Sequence, residues 1–472
     1  MIAALKPYPV YKDSSSVPWL GKVPKHWCLL PNRTLFAEVK ERDHPDEQML
    51  SVTITQGVIR QRALLENSSK KDSSKQDKSA YKLVCPGDIA FNKMRAWQGA
   101  VGVSNFFGIV SPAYIVVRLR ADNNPRYFHY LFRTPGFMTE AERWSYGITS
   151  DMWSLRPEHF KMIYSCLPTC PEQAAIVRFL DHIDRRIRRY ISAKQKMVKL
   201  LDEQKQAIIH HALTRGLDPN VRLKPSGVEW LGDVPSHWVI KPLKHWARLN
   251  ALTLTEGTDP DSEFRYIDIG TVSAGRLVHE PIHMRFRNAP SRARRVLHKG
   301  DTIVSTVRTY LKAVWYVEEE ADDLIASTGF AVLSPRREVE PAYLGNVLQS
   351  KNLIDRVTAN STGIAYPAIP ETVLGRFPVA LPPTREEQRE LVRYIEIESA
   401  PINKAGQHAQ NEIALLRELR TRLISDVVTG KVDVREVAAR LSDEAEEPEP
   451  FDEATVLSDT VEETEEGEEM EE

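Results

Sequence analysis

The chain has 472 residues, more than a single hydrophobic core usually organises, so two or more domains are expected. With 42% hydrophobic and 27% charged residues, and no apolar run of the roughly 18 residues that a membrane span needs, the composition is that of a soluble globular protein and excludes a spanning helix. The formal net charge of −2 conceals an asymmetry: the last basic residue is Arg440, and Asp443 to Glu472 holds 16 acidic residues and no basic one. Setting those 16 aside leaves 49 acidic residues against 63 Lys and Arg, an excess of 14 positive charges in the body of the chain. Such an excess suits a polyanionic partner, and it equally suits solvated helix faces. The Glu-rich tail is expected to be disordered, because it buries too little apolar surface to offset the entropy of ordering.

At the N-terminus, MIAALKPYPVYKDSSS has no basic stretch followed by an apolar core, so no secretory signal is expected and the chain is read as cytoplasmic. Four cysteines, Cys28, Cys85, Cys166 and Cys170, match neither a disulfide framework nor a paired zinc arrangement and are read as buried free thiols. The segment VPWLGKVPKHW, Val17 to Trp27, returns as VEWLGDVPSHW, Val228 to Trp238, identical at eight of eleven positions. Further matches keep the same order. PGDIAFNKMRAW around Gly87 answers KGDTIVSTVRTY around Gly300, and IVSPAYIVV answers IASTGFAVL. Gly147-Ile148 answers Gly363-Ile364, and LPTCPEQAAIVRFLD from Leu167 answers LPPTREEQRELVRYIE from Leu381. The chain is an internal duplication.

The first part of each copy reads as compact α+β, with β-rich runs at Asp88 to Asn92, Tyr114 to Leu119, Thr302 to Val307 and Phe330 to Leu333 between Gly, Pro and Ser punctuation. From Pro171 the sequence changes character: Leu180, Ile183, Ile187, Tyr190, Met197, Leu201 and Ile208 form one apolar stripe until Gly216 and Pro219. Ile402, Ala409, Ile413, Leu416, Leu423 and Val427 repeat it, ending at Gly430. A seam of about 30 residues, roughly 45 Å at 1.5 Å per residue, is long for a globular surface helix. The two helices are therefore expected to pair as an antiparallel coiled coil that spaces the two globular parts, the helix-pairing residues being Leu180, Ile183, Ile187, Leu201, Ile208, Ile402, Ile413, Leu416 and Leu423. Two diverged readers on a fixed spacer suit double-stranded DNA with an asymmetric split target.

SGVEWLGDVPSHW, YKLVCPGDIAFNKMRAWQGAVGV, GIVSPAYIVV, HHALTRGLDPNV and LISDVVTGKVDV resemble the signature segments of the specificity subunits of type I restriction-modification systems. The resemblance runs from about Val17 to Arg435 and implies an order of parts: extension (residues 1–16), target-recognition domain (17–170), conserved helical region (171–217), second target-recognition domain (218–384), second helical region (385–435), with an acidic tail (436–472) outside the pattern. It further implies that each recognition domain reads half of a bipartite DNA site, that the helices dock two methyltransferase (modification) subunits, and that restriction/translocase subunits join through the complex. No NPPY-type motif, glycine-rich S-adenosylmethionine loop or GxxxxGK[ST] phosphate loop occurs, so this chain is expected to be non-catalytic, with S-adenosylmethionine, ATP and Mg on the partners. No metal site is expected here.

Base reading favours Arg or Lys on guanine and Asn or Gln on adenine, with further Lys and Arg on phosphates. In the first copy Asn92, Lys93, Arg95 and Gln98 combine both classes just after a predicted strand, and the second copy offers Thr306, Arg308 and Tyr310. The alternative is that Arg95 and Arg308, repeated in both copies, brace the fold. The polar stretch NSSKKDSSKQDK carries Lys70, Lys71, Lys75 and Lys78, suited to phosphates or to solvent alone, and Arg285, Arg287, Arg292, Arg294 and Arg295 form a dense basic cluster. Loops around Tyr146 to Trp153 and Thr362 to Tyr366 are further candidates. The repeated Trp19/Trp230 and Trp27/Trp238 are read as packing each domain onto its helical region rather than stacking on bases. A rival function is a protein-binding scaffold with duplicated domains.

Overall fold

The computed structural model describes residues 5–14, 17–62, 77–147, 153–273, 275–320, 322–363 and 366–441. The Lys70, Lys71 and Lys75 candidates, and the acidic tail from Asp443, lie outside these residues. The chain divides into two compact units, Met1–Lys194 with Asn411–Glu472, and Gln195–Gln410.

In the first unit an antiparallel sheet runs in the order Phe36–Val39, Tyr114–Leu119, Ile89–Asn92, Val101–Val103. In the second the order is Ala247–Leu249, Phe330–Pro335, Thr302–Ser305, Val314–Tyr316, strand for strand the same arrangement. Each unit also has a strand pair at its entrance, Tyr11–Asp13 with Lys22–Pro24 and Leu223–Pro225 with Asp233–Pro235. Each closes with a pair leading into a long helix, Cys28–Pro31 with Tyr164–Leu167 and Val239–Pro242 with Pro378–Leu381. The units differ in what is added to this scaffold. The first has the hairpin Leu50–Thr53 with Gly57–Arg60 and the pair Lys82–Val84 with Gly108–Val110. The second has an extra four-stranded sheet, ordered Ile282–Arg285, Glu263–Ile267, Leu324–Ser327, Ala293–Val296.

The residues that recur in the sequence are those that build this common scaffold. Gly87 and Gly300 both turn at φ 90°, a conformation that glycine adopts without a Cβ clash. The following aspartate closes each turn: Asp88 accepts the Cys85 N–H and Asp301 the His298 N–H, both at 2.9 Å. Gln173 and Gln388, both buried, tie each long helix to its domain by accepting the backbone N–H of Asn124 (2.8 Å) and Glu340 (2.7 Å). Their amides donate to the carbonyls of Pro168 and Pro382. Trp27 and Trp238 are buried, and the preceding histidines meet helix-entry carboxylates, His26 with Glu172 (2.9 Å) and His237 with Glu387 (3.0 Å). The packing reading of the tryptophans is what the structure shows for Trp27 and Trp238, while Trp19 and Trp230 are half-buried against the two cores.

The long helices are Cys170–Arg215, 46 residues, and Arg385–Val428, 44 residues. In the first unit Arg420 bonds Asp184, and Lys194 meets Glu412 at 2.6 Å, so one residue number falls as the other rises: the helices run antiparallel. Ile183, Ile187 and Ile191 share a core with Ile413, Leu423 and Val427. In the second unit Ile209, Ala212 and Leu213 share one with Leu391, Val392 and Ile395.

The buried stripe of the first helix departs from the expected one. Tyr190 and Met197 are exposed, Leu201 and Ile208 only half-buried, whereas Ile191 and Ile209 are buried. A strict seven-residue seam drifts by about 20° per heptad on a straight α-helix, so over four heptads the inward position moves by almost one residue. Ile191 and Ile209 follow Leu180 at close to whole numbers of 3.6-residue turns, so both keep its azimuth and are buried where their neighbours Tyr190 and Ile208 are not. The stripe of the second helix keeps Ile402, Ala409, Ile413, Leu423 and Val427 buried, with Leu416 half-buried.

Burial pushes the Asp184 carboxyl up, but Arg188 and Arg420 outweigh it and hold it below the usual carboxylate range. A carboxyl depressed in the folded state adds stability above its unfolded pKa of about 4, and that stability is lost as pH falls through the folded value. Asp184→Asn is therefore expected to flatten the acid limb of unfolding of the first unit below about pH 4. An unchanged limb in a pH series of urea unfolding contradicts this.

The reading of four buried thiols needs correction: Cys166 is buried, Cys85 half-buried, and Cys28 and Cys170 exposed. Cys28 lies on a short strand pair and Cys170 at a helix start, where neither side chain is covered.

Candidate nucleic-acid interface

Both units bring together two loops that are distant in sequence. In the first, the strand Ile89–Asn92 runs into a tight turn: Asn92 Oδ1 accepts the Met94 N–H (3.0 Å), and Trp97 Nε1 donates to the Met94 carbonyl (2.9 Å). The Leu155 N–H donates to the Lys93 carbonyl at 2.8 Å, and Trp97 packs edge-on against Trp153 with ring centroids 5.6 Å apart. Trp153 and Leu155 are thereby fastened beside the turn, and Ser154 between them bridges to Tyr146. Arg95 is exposed, and its guanidinium makes no hydrogen bond or ion pair among the described residues. Lys93 and Gln98 are half-buried beside it, and Tyr146 is 58% exposed. Asn92 is half-buried with its carbonyl oxygen already used by the turn.

The second unit repeats the pairing with different chemistry. The strand Thr302–Ser305 leads to Arg308 at φ 51°, a short 3-10 turn Thr309–Leu311, and Lys312 at φ 54°. Among the described residues four non-glycine residues have positive φ, and two of them bracket this turn. Each left-handed residue costs about 1–2 kcal/mol, and such strain clusters at sites where geometry serves function. Val307 and Thr362 both bridge to Ala368, the Ile369 N–H donates to the Thr306 carbonyl (2.8 Å), and Thr309 Oγ1 bonds Ser361 Oγ (2.8 Å). The Arg308 guanidinium lies over the Tyr366 ring at 4.9 Å; Tyr366 and Tyr310 are 59% and 51% exposed. Thr306 is turned the other way: it is buried and its hydroxyl donates to the Gly329 carbonyl at 2.9 Å, so it holds the loop's base instead of facing outward. Lys312, exposed on this turn, was not among the expected contacts; the only sequence signal for it is its place two residues after Tyr310.

The arginine cluster is less free than its density suggests. Arg285 pairs with Glu263 (3.0 Å), Arg287 with Asp261 (3.0 Å), Arg292 with Asp268 (2.6 Å) and Arg295 with Glu371 (2.7 Å). Among the described residues Arg294 has no carboxylate partner, and it lies over the Phe286 ring at 5.0 Å. The cluster is also divided, Arg285 on one edge strand of the extra sheet and Arg294 and Arg295 on the opposite edge. Lys78 is exposed. Among the described residues no group of His, Cys, Asp and Glu could hold a metal ion, and no helix is long and apolar enough to cross a membrane.

A scan against protein-family models gave no match, and a search of curated proteins gave none either. Solved structures do match. A chain from work on complex assembly and conformational transition of the type I R-M system aligns at a TM-score of 0.59 with 15% identity, covering 86% of this chain and 98% of that one. The HsdS subunit from Thermoanaerobacter tengcongensis aligns at 0.40 with 17% identity, over 87% and 98% of the two chains. The type I restriction-modification S subunit from M. genitalium aligns at 0.35 with 12% identity, over 85% and 96%. The duplicated α+β scaffold with two long helices is thus the fold shared with the type I R-M chain of the first alignment, over nearly all of that chain's length.

Proposed function

We propose that this chain is the sequence-reading subunit of a type I restriction-modification complex, each unit reading one half of an asymmetric bipartite DNA site through its paired loops. The observation that carries the reading is the recurrence, after the equivalent strand of each unit, of a turn fastened to a second, aromatic loop, with Arg95 at one and Arg308 at the other. Scaffold residues recur between the units, whereas the exposed loop residues differ, as two readers of different half-sites require. The basic body of the chain adds a sequence-independent attraction to phosphates. In this reading two modification subunits dock on the helices and carry S-adenosylmethionine, while restriction/translocase subunits bring ATP and Mg chemistry. The complex works in the cytoplasm.

Of the five clustered arginines, Arg294 is the best placed to meet a phosphate, because binding there displaces no carboxylate. The ion pairs of Arg285 and Arg287 are exposed and therefore weak, so they exchange readily for phosphate contacts. The test is duplex binding by the complex across a salt series, with Arg294→Ala and the Arg285→Ala/Arg287→Ala pair. Each is expected to weaken binding several-fold and reduce the slope of log affinity against log salt, by about one for Arg294→Ala. Binding of the unaltered complex that ignores salt would favour the protein-scaffold reading instead.

A further inference from the structure

We propose that Lys40, Arg42 and Lys93, gathered at one end of the first unit's sheet, bind the DNA backbone as a phosphate-binding cluster beside the Arg95 turn, and that the second unit has no counterpart to it. The inference rests on the DNA-reading function proposed above. Register brings the three residues together. The strand Tyr114–Leu119 pairs Val116 with Val39 on one side and Tyr114 with Asn92 on the other, so the chain leaves both neighbouring strands, at Lys40 and at Lys93, at the same end. The Leu83 N–H donates to the Glu41 carbonyl at 2.9 Å, which lays the segment from Lys40 to Arg42 along the strand Lys82–Val84. Lys82 of that strand is buried and donates to the Tyr114 carbonyl at 2.6 Å. Burial holds its ammonium below the ordinary lysine range, Glu38 opposes this, and Arg42, Lys93 and Lys40 depress it further. The three cations therefore lie close enough to one buried ammonium to repel it. Lys40 and Arg42 are exposed and Lys93 half-buried. Glu38 meets Lys161 at 3.3 Å and Lys40 at 3.9 Å, and Glu41 meets His44 at 3.3 Å. Among the described residues the side chains of Arg42 and Lys93 make no hydrogen bond or ion pair. Asp43 adds one exposed acid, and with Lys82, Lys161 and Arg95 beside the cluster this end of the sheet keeps a positive surplus.

The second unit shows that the fold does not require these charges. There the Val296 N–H donates to the Leu252 carbonyl as Leu83 does to Glu41, and the Ser305 N–H donates to the Ala313 carbonyl as Asn92 does to Ala100. The backbone positions therefore correspond, and Lys40 answers Ala251, Arg42 answers Thr253 and Lys93 answers the buried Thr306. All three counterparts are neutral, while Arg95 answers Arg308 and the cation is kept. A scaffold of the same topology closes without the three charges, so their gathering beside the Arg95 turn serves an anionic ligand rather than the sheet. Phosphate contacts fix register and orientation on a duplex while base contacts read sequence, so a cluster here sets where Arg95 meets the groove. The first half-site accordingly carries more of the salt-dependent attraction at this end of the sheet than the second does.

The experiment measures duplex binding by the whole complex across a salt series, with the chain unaltered and with Lys40→Ala/Arg42→Thr/Lys93→Thr, which places at each position the residue type the second unit already carries there. Loss of the phosphate contacts is expected to weaken binding roughly tenfold or more at about 0.15 M salt, and to make the slope of log affinity against log salt shallower by about two to three. Target and unrelated duplexes should lose alike, because phosphates carry no sequence. Arg42→Gln alone, at an exposed side chain, should reduce the slope by about one and guards against a triple variant that misfolds, which hydrogen exchange of the first unit detects. Unchanged affinity and slope in the folded variants overturn the phosphate-binding cluster while the DNA-reading function stands. A loss confined to the target sequence overturns it too, since these residues would then read bases. An unaltered complex that binds no duplex removes the DNA-reading function itself, and the cluster with it.

Discussion

Gly430→Ala is expected to destabilise the first unit by about 3 kcal/mol or more. Gly430 ends the second long helix at φ +77°, and a Cβ there would lie 2.3 Å from Pro24 Cδ, 2.7 Å from Pro24 Cγ and 3.0 Å from Trp27 Cζ3. None of these atoms is the free end of a flexible chain: one is a proline ring in the entrance strand pair and the other a fully buried indole. Gly216, which ends the first long helix at φ +72°, makes the control. Its Cβ would meet Trp238 Cζ2 at 3.6 Å and Pro235 Cγ at 3.7 Å, ordinary contacts, so Gly216→Ala costs only the backbone strain, about 1 kcal/mol. Hydrogen exchange read by mass spectrometry separates the two. Opening of the first unit's core should accelerate roughly 100-fold in Gly430→Ala, and that of the second unit's core by less than about tenfold in Gly216→Ala. Equal effects would show that the two helix ends are not packed as described.

The second large effect is expected at Arg308. Removing its guanidinium in Arg308→Ala should cost one half-site about 1–3 kcal/mol of base discrimination, roughly 5- to 150-fold, and leave the other half-site as it was. Lysine should not restore it, because the flat guanidinium stacks on Tyr366 and offers a planar fork that an ammonium lacks. Arg308→Gly separates function from stability. At φ 51° glycine relieves the left-handed strain, so thermal stability should hold or rise while recognition is lost. Lys312→Ala, by contrast, should weaken binding to every sequence several-fold, as loss of a phosphate contact does. If Arg308→Gly binds its target normally, the strained turn is not a reading element.

The duplication, the sheet-forming runs and both long helices are legible in the sequence because they rest on local signals. The Pro-Gly-Asp and Lys-Gly-Asp turns, the buried glutamines 173 and 388, and the tryptophan motifs recur because each fastens a domain to a helix through short-range geometry. What was hidden is long-range. That the turn at Arg95 lies beside Trp153, and Arg308 over Tyr366, depends on chain segments more than 50 residues apart meeting across a sheet edge. The inward turn of Thr306 follows from its bond to Gly329, which no spacing announces. Arginine density does not show pairing for a related reason: Asp261, Glu263, Asp268 and Glu371 come back in the fold to pair with four of the five guanidiniums. The slip from Ile208 to Ile209 arose from assuming a seven-residue seam where the helix keeps its own 3.6-residue period.

The central claim is that two different loop pairs in this one chain read two halves of one DNA target. It is tested most directly by mapping methyladenine across the genome of cells carrying this chain with its neighbouring methyltransferase gene, in four versions: unaltered, deleted for this chain, Arg95→Ala and Arg308→Ala. The account predicts an asymmetric bipartite motif that disappears on deletion, with one half relaxed by Arg95→Ala and the other half by Arg308→Ala. A methylation pattern that survives deletion of the chain unchanged would contradict it.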